Sequence, residues 1–302
     1  MALQLIEIFI TVITPVFGLV IIGFLAGPKL QLEARTLSRA AYYFFIPAFV
    51  FDVISKARVE AGALGKMVFL GVAIVLMTAF LGAMTAYLLG RPKEVVAAFA
   101  LIASFGNVGN FGLPLIEFRL GPEALVPATI YFLTISLTAF VVGVGAAGYV
   151  RGGGASAVWS VLKTPALLAI IPAFFFAQTG LPIPLPLERM VSLLASAMIP
   201  VMLVALGVQL ATSQGLRLEK DVWIVSGVRL LGGPIVAALL AMLIGVSGIS
   251  RAAAIVQSGM PAAVLTSIIA LEYDLLPDFV TSTVLFSTLS SMVTLTVLLA
   301  LI

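Results

Sequence analysis

The 302-residue chain contains no cysteine and no histidine, and only 10% of its residues are charged. Without cysteine there is no disulfide, no thiolate nucleophile and no cysteine-built metal site. Without histidine the commonest zinc ligand and the commonest proton relay near neutral pH are missing. No resident metal or other cofactor is therefore expected. A soluble domain is about 25% charged and about 45–50% apolar; this chain is 62% hydrophobic, with a mean hydropathy of +1.24. That balance excludes an ordinary soluble domain. The small excess charge of +3 falls in loops between apolar runs. Basic residues there set orientation in a bilayer, so nucleic acid is not an expected partner and the lipid bilayer is.

What the sequence has in abundance is long charge-free stretches. Nine of them reach twenty residues or more: 8–28, 67–90, 95–116, 124–150, 164–187, 190–216, 230–250, 252–271 and 279–302. A hydrocarbon core ~30 Å thick needs roughly 20 apolar residues as helix. A tenth candidate, 36–55, carries Arg39 and Asp52 near its ends and is otherwise apolar. The expected fold class is an all-α polytopic membrane protein with ten transmembrane helices. The first run has no Lys or Arg before it, so it reads as a span and not as a cleavable signal.

The expected topology puts Lys29, Arg35, Arg39, Arg91, Lys93, Arg151, Lys163, Arg217 and Lys220 on one side. Lys56, Arg58, Lys66, Arg119, Arg189 and Arg251 fall on the other. This bias places both termini outside the cell membrane. Arg151-Gly152-Gly153-Gly154-Ala155-Ser156-Ala157 is a flexible linker by composition, close to the middle of the chain. Five spans precede it and five follow, so a second copy of the first half would be inverted. Pro15, Pro47, Pro114 and Pro122 recur at similar separations as Pro172, Pro200, Pro261 and Pro277, as inverted repeats of transporters would have it.

Chemistry concentrates in Ser104-Phe105-Gly106-Asn107-Val108-Gly109-Asn110-Phe111-Gly112-Leu113-Pro114, at mid-depth of the fourth span. Glycine costs about 1 kcal/mol in a helix interior and proline about 3, so a continuous helix is not expected here. Unwound backbone at this depth must be buried in protein or face a watery cavity. Gln257-Ser258-Gly259-Met260-Pro261 repeats the device in the ninth span. Proline removes the helical partner of the carbonyl four residues earlier, which is that of Asn110 for Pro114 and of Gln257 for Pro261. Crossed at the midplane, the two breaks would make one polar site, with half-helices beginning near Pro114 and Pro261 aiming positive ends at it. Asn107, Gly109, Asn110, Pro114, Gln257, Ser258 and Pro261 are the candidate binding residues. For Pro15, Pro47, Pro172 and Pro200, a helix kink is the reading, and small residues along a span also serve packing.

Arg229 is the remaining candidate. It follows Asp221 by eight residues, roughly 12 Å into the core at 1.5 Å per residue. At that depth an arginine needs a counter-charge or water. It either snorkels back toward Glu272 and Asp274 or lends its charge to an anionic substrate, directly or through neighbours. The other acids, Glu7, Asp52 and Glu117, fall near span ends, where pairing with a loop Lys or Arg is expected. No coupling ion is selected by the sequence.

GNVGNFGLP in the fourth span, QSGMP in the ninth and ten spans in two halves resemble the auxin efflux carrier family, which includes bacterial permeases for malate and malonate. The resemblance implies the fold of bile-acid/sodium symporters and an elevator-like carrier of a small organic anion. Residues 1–60 and 164–214 would be scaffold, and residues 61–150 and 215–302 a mobile transport domain, joined by the linker 151–163. The scaffold helices would also form a homodimer. The long hydrophilic central loop of the plant members is absent. Among other classes, a rhomboid-like protease lacks its histidine, and a presenilin-like one lacks a partner for Tyr273-Asp274, so no enzyme is expected. A sodium-coupled bile-acid-type symporter and a non-transporting receptor stand as alternatives.

Overall fold

The computed structural model describes residues 2–57, 60–151, 165–211 and 218–302. The glycine linker and the expected loop cations Arg58, Lys163 and Arg217 lie outside the described residues. Among the described residues, seven helices are long and apolar enough to cross a membrane: α1 (Leu3–Lys29), α2 (Ala34–Ser55), α3 (Ala61–Leu88), α6 (Pro122–Val150), α8 (Leu185–Ala211), α9 (Lys220–Ile244) and α12 (Pro277–Leu301). A shorter apolar helix, α7, covers Pro165–Thr179. Two further stretches are broken: α4 (Lys93–Ser104) resumes as α5 (Leu113–Leu120), and α10 (Gly248–Ser258) resumes as α11 (Val264–Glu272). The described chain is thus helical nearly throughout, as a lipid solvent demands of backbone polar groups.

Proline shapes these helices in a repeated way. Among the described residues, four π-helical turns, Phe9–Ile13, Ala41–Phe45, Val108–Gly112 and Val228–Gly232, each end two residues before a proline: Pro15, Pro47, Pro114 and Pro234. Proline has no N–H and its ring crowds the carbonyl four residues back. An extra residue in the preceding turn re-aims that carbonyl. Pro172 and Pro200 sit inside α7 and α8 without such a turn.

The closest packings fall within two groups. Helices α1, α2, α7 and α8 contact one another, while α3, α4 and α6 contact one another and α9 through α12 join them. The seam between α1 and α8 is made by glycine: Gly23 lies against the Val204 carbonyl, and Gly207 against the Val20 carbonyl. Gly82 of α3 lies against the Phe99 carbonyl of α4, and Gly233 of α9 against the Ser258 carbonyl of α10. The two groups meet at fewer places. One of them is Phe17 of α1, edge-on to Phe111 with ring centroids 5.0 Å apart. Gln4 Nε2 donates to the Ala300 carbonyl at 3.3 Å, so the start of α1 and the end of α12 share one face. On the other face Arg91 pairs with Asp221 at 2.7 Å. The pairing expected for span-end acids is seen at Asp52, 2.7 Å from Lys56.

Candidate functional site

The two breaks cross. Phe105-Gly106-Asn107 and Pro261-Ala262-Ala263 run antiparallel, with Gly106 opposite Ala262. The Asn107 N–H donates to the Pro261 carbonyl at 2.8 Å, and the Ala263 N–H donates to the Phe105 carbonyl at 2.9 Å. The Ala262 N–H reaches Ser287 Oγ of α12 at 3.2 Å. Extended backbone buried at this depth therefore has its polar groups paired by the opposing break, as the absence of water requires.

The breaks differ from the expectation in three respects. The extended part of the first is shorter than 106–114, because Val108–Gly112 is a π-helical turn continuous with α5. Its positive end accordingly begins at Val108, not near Pro114, and the Asn107 carbonyl accepts the N–H groups of Phe111 and Gly112, both at 3.2 Å. The second half-helix begins at Val264, leaving Pro261 in the extended segment. The Gln257 carbonyl is not left free by Pro261 either: Met260 N–H turns back to it at 3.4 Å.

Arg229 departs furthest from expectation. It is 2% exposed and does not snorkel toward Glu272 and Asp274. Its Nε donates to the Met260 carbonyl at 2.9 Å, Nη1 to Ala103 at 2.7 Å and Nη2 to Ser258 at 3.0 Å. The Ala103 and Ser258 carbonyls lie in the last turns of α4 and α10, the negative ends of both leading half-helices, and Met260 lies two residues past the end of α10. Gly106 makes room for the guanidinium, since any side chain there would collide with Nη2. An arginine with a fixed fork of donors suits this task; lysine offers one point of attachment.

The remaining candidates group around this core. Gln257 is wholly buried, its Nε2 donating to the Ala128 carbonyl of α6 at 3.2 Å. Its Oε1 lies against Gly112, where no side chain would fit, and has no hydrogen-bond partner. Asn107 is buried, with Nδ2 likewise unpartnered. Gly109 faces the Phe132 ring. Ser258 Oγ is spent on the Ala254 carbonyl at 2.7 Å, so its carbonyl, not its hydroxyl, enters the site. Pro114 and Pro261 are buried; Asn110, in the first turn of the half-helix, is half-buried. The structure therefore brings Asn107, Gln257, Ser258, Pro261 and Arg229 together where the breaks pair, while Gly109, Asn110 and Pro114 lie along the half-helix that leads away from it.

Sequence reasoning missed the space beside it. A cavity of about 140 Å³ opens at the first turn of α11, lined by Gln209, Leu210, Val264, Ser267, Thr281, Val284 and Leu285. It is smaller than the roughly 300–1,000 Å³ of drug-sized sites. The Ser267 hydroxyl is buried without a partner. Its only sequence signal is its place three residues into the helix that follows Pro261.

A family model described as membrane transport protein matches residues 8–146 and 153–299. The chain belongs to that family. The interruption between the two matched stretches falls at the start of the glycine linker. This is the family that GNVGNFGLP and QSGMP indicate, the auxin efflux carrier and malonate permease type. Among relatives, an uncharacterized transporter of Methanothermobacter thermautotrophicus is 27% identical over 287 residues, 93% of this chain and 94% of that protein. One from Methanocaldococcus jannaschii, also named an uncharacterized transporter, is 27% identical over 299 residues, 93% and 94% of the two chains. A third, from Rhizobium meliloti, bears a name that assigns it malonate transport provisionally; it is 25% identical over 302 residues, 96% and 94% of the two chains.

Proposed function

We propose that this membrane transport protein is an alternating-access carrier of a small organic anion, a monocarboxylate or a dicarboxylate such as malonate. The observation that carries the reading is the crossing itself. Two broken helices pair through extended backbone, and a half-helix starts on either side of that pairing, at Val108 and at Val264, each turning its positive end toward the crossing. The name of the Rhizobium meliloti relative supports a dicarboxylate. Ten spans in two inverted five-helix repeats complete the proposal: α4 with α5 is the fourth and α10 with α11 the ninth. The matched glycine contacts of α3 on α4 and α9 on α10 support the repeat. The scaffold is α1, α2, α7 and α8, the site of a homodimer contact, and the other helices move against it as an elevator. Both termini face outward from the cell membrane.

Uptake of radiolabelled malonate into proteoliposomes tests the reading. Saturable flux that falls at least about tenfold in Asn110→Ala at unchanged folded yield is expected. Failure of the parent to carry malonate or any competing monocarboxylate sinks it, and specific binding without flux would make the protein a receptor.

A further inference from the structure

Arg229 is buried and charged, each of its three guanidinium nitrogens donates to a backbone carbonyl, and neither break contains an acidic residue to oppose it. Each helix end carries the equivalent of roughly half an elementary charge. The ends of α4 and α10 that meet the guanidinium thus sum to about one negative charge, which Arg229 cancels. Two positive ends remain, at Val108 and at Val264. They are accompanied by a buried amide donor with no partner, Asn107 Nδ2, on a residue 6% exposed; the other unpartnered amide atom, Gln257 Oε1, is an acceptor and gives a carboxylate nothing. The start of α11 also opens on the cavity that holds the unpartnered Ser267 hydroxyl.

We infer that Arg229 is a charge-selectivity residue that never touches the substrate: by neutralising the two negative helix ends it leaves the crossing with the field of about one positive charge, matched to one carboxylate group. This rests on the organic-anion reading above and deepens it. A substrate presents one carboxylate to the crossing. The rest of a dicarboxylate is held without help from this charge. Removing the arginine's charge lets the negative ends offset the positive ones, so a carboxylate loses its advantage over an uncharged group of the same shape.

The test compares malonate, its half-amide malonamate and the uncharged malonamide as competitors of radiolabelled malonate, on purified carrier checked for a single monodisperse species. In the parent, malonate and malonamate bind within a few-fold of each other, and malonamide binds roughly tenfold weaker or more. Arg229→Met brings malonamide to within about threefold of malonamate. Arg229→Lys, which keeps the charge and loses part of the fork, preserves the acid-over-amide preference while its melting temperature falls. An Arg229→Met carrier that retains the parental preference overturns the inference. So does an Arg229→Lys carrier that folds and loses it, which covers the case in which the methionine variant does not fold. A parent that binds none of the carboxylates overturns the substrate reading instead, and a parent that binds all three alike removes charge selection while leaving transport open.

Discussion

Glycine is used at two places in this protein for opposite ends. In the seam between α1 and α8, Gly23 and Gly207 bring two intact helices so close that each backbone lies on the other's carbonyl. No hydrogen bond is broken there, and the gain is dispersion contact between surfaces that lipid would otherwise wet. In the crossing, Gly106 and Gly112 serve helices that have been interrupted, and what approaches is a polar side chain: the Arg229 guanidinium and the Gln257 amide. The seam is apolar and self-sufficient. The crossing has to be held by bonds imported from elsewhere, from the opposing break, from α9 and from α12. The first arrangement packs backbone on backbone, and the second gathers buried polar atoms at one place.

Substitutions and a cross-link break or sharpen that contrast. The largest effect is expected at the seam. Gly207→Leu drives a side chain into the backbone of α1, and overpacking of this kind costs about 3 kcal/mol or more; size-exclusion profiles should show little monodisperse protein. Next comes Arg229→Ala, which strips donors from three buried carbonyls at about 1–3 kcal/mol each. Its thermal melt should fall well below that of Arg229→Lys. An equal melt for the two would mean the fork geometry is unimportant.

Transport variants should separate from stability variants. Asn110→Ala lowers malonate flux at least about tenfold with little change in melting, because Asn110 is only half-buried. Gln257→Ala loses flux as well, and about 1 kcal/mol of stability with its bond to the Ala128 carbonyl. Parental flux in both would take the site away from the crossing. A cross-link tests the division into moving and static groups, and the cysteine-free chain is a clean background for it. Cysteines at Phe17 and Phe111, bridged by a short reagent, should arrest flux and recover it on cleavage; undiminished flux with the bridge formed would refute the moving group. The smallest effect belongs to Asp221→Asn. Its ion pair with Arg91 is partly exposed, at 17% and 39% of the side chains, and such pairs are worth about 0–1 kcal/mol. A melt shift of more than a few degrees would show that this clasp matters more than its exposure implies.

The helical membrane architecture and the place of both breaks were legible because they depend on local rules. Long charge-free runs have one stable solution in a bilayer, and glycine with proline at mid-depth cannot continue a helix. The same rules pointed to Asn107, Asn110 and Gln257, since an amide beside a break is a statement about nearby chain. The extent of the break was misjudged, because a π-helical turn before Pro114 absorbs the proline that would otherwise have prolonged the unwound stretch. Arg229 was visible as an anomaly of depth but not of purpose. Its three acceptors lie 126, 29 and 31 residues away in sequence, and no local pattern links them. Ser267, Gln209 and the cavity between α8, α11 and α12 had still less signal. Local composition determines where a helix must span or break, because the bilayer charges each segment for its own backbone. Which broken end meets which, and whose charge cancels theirs, was decided only when three distant stretches of chain were packed into one place.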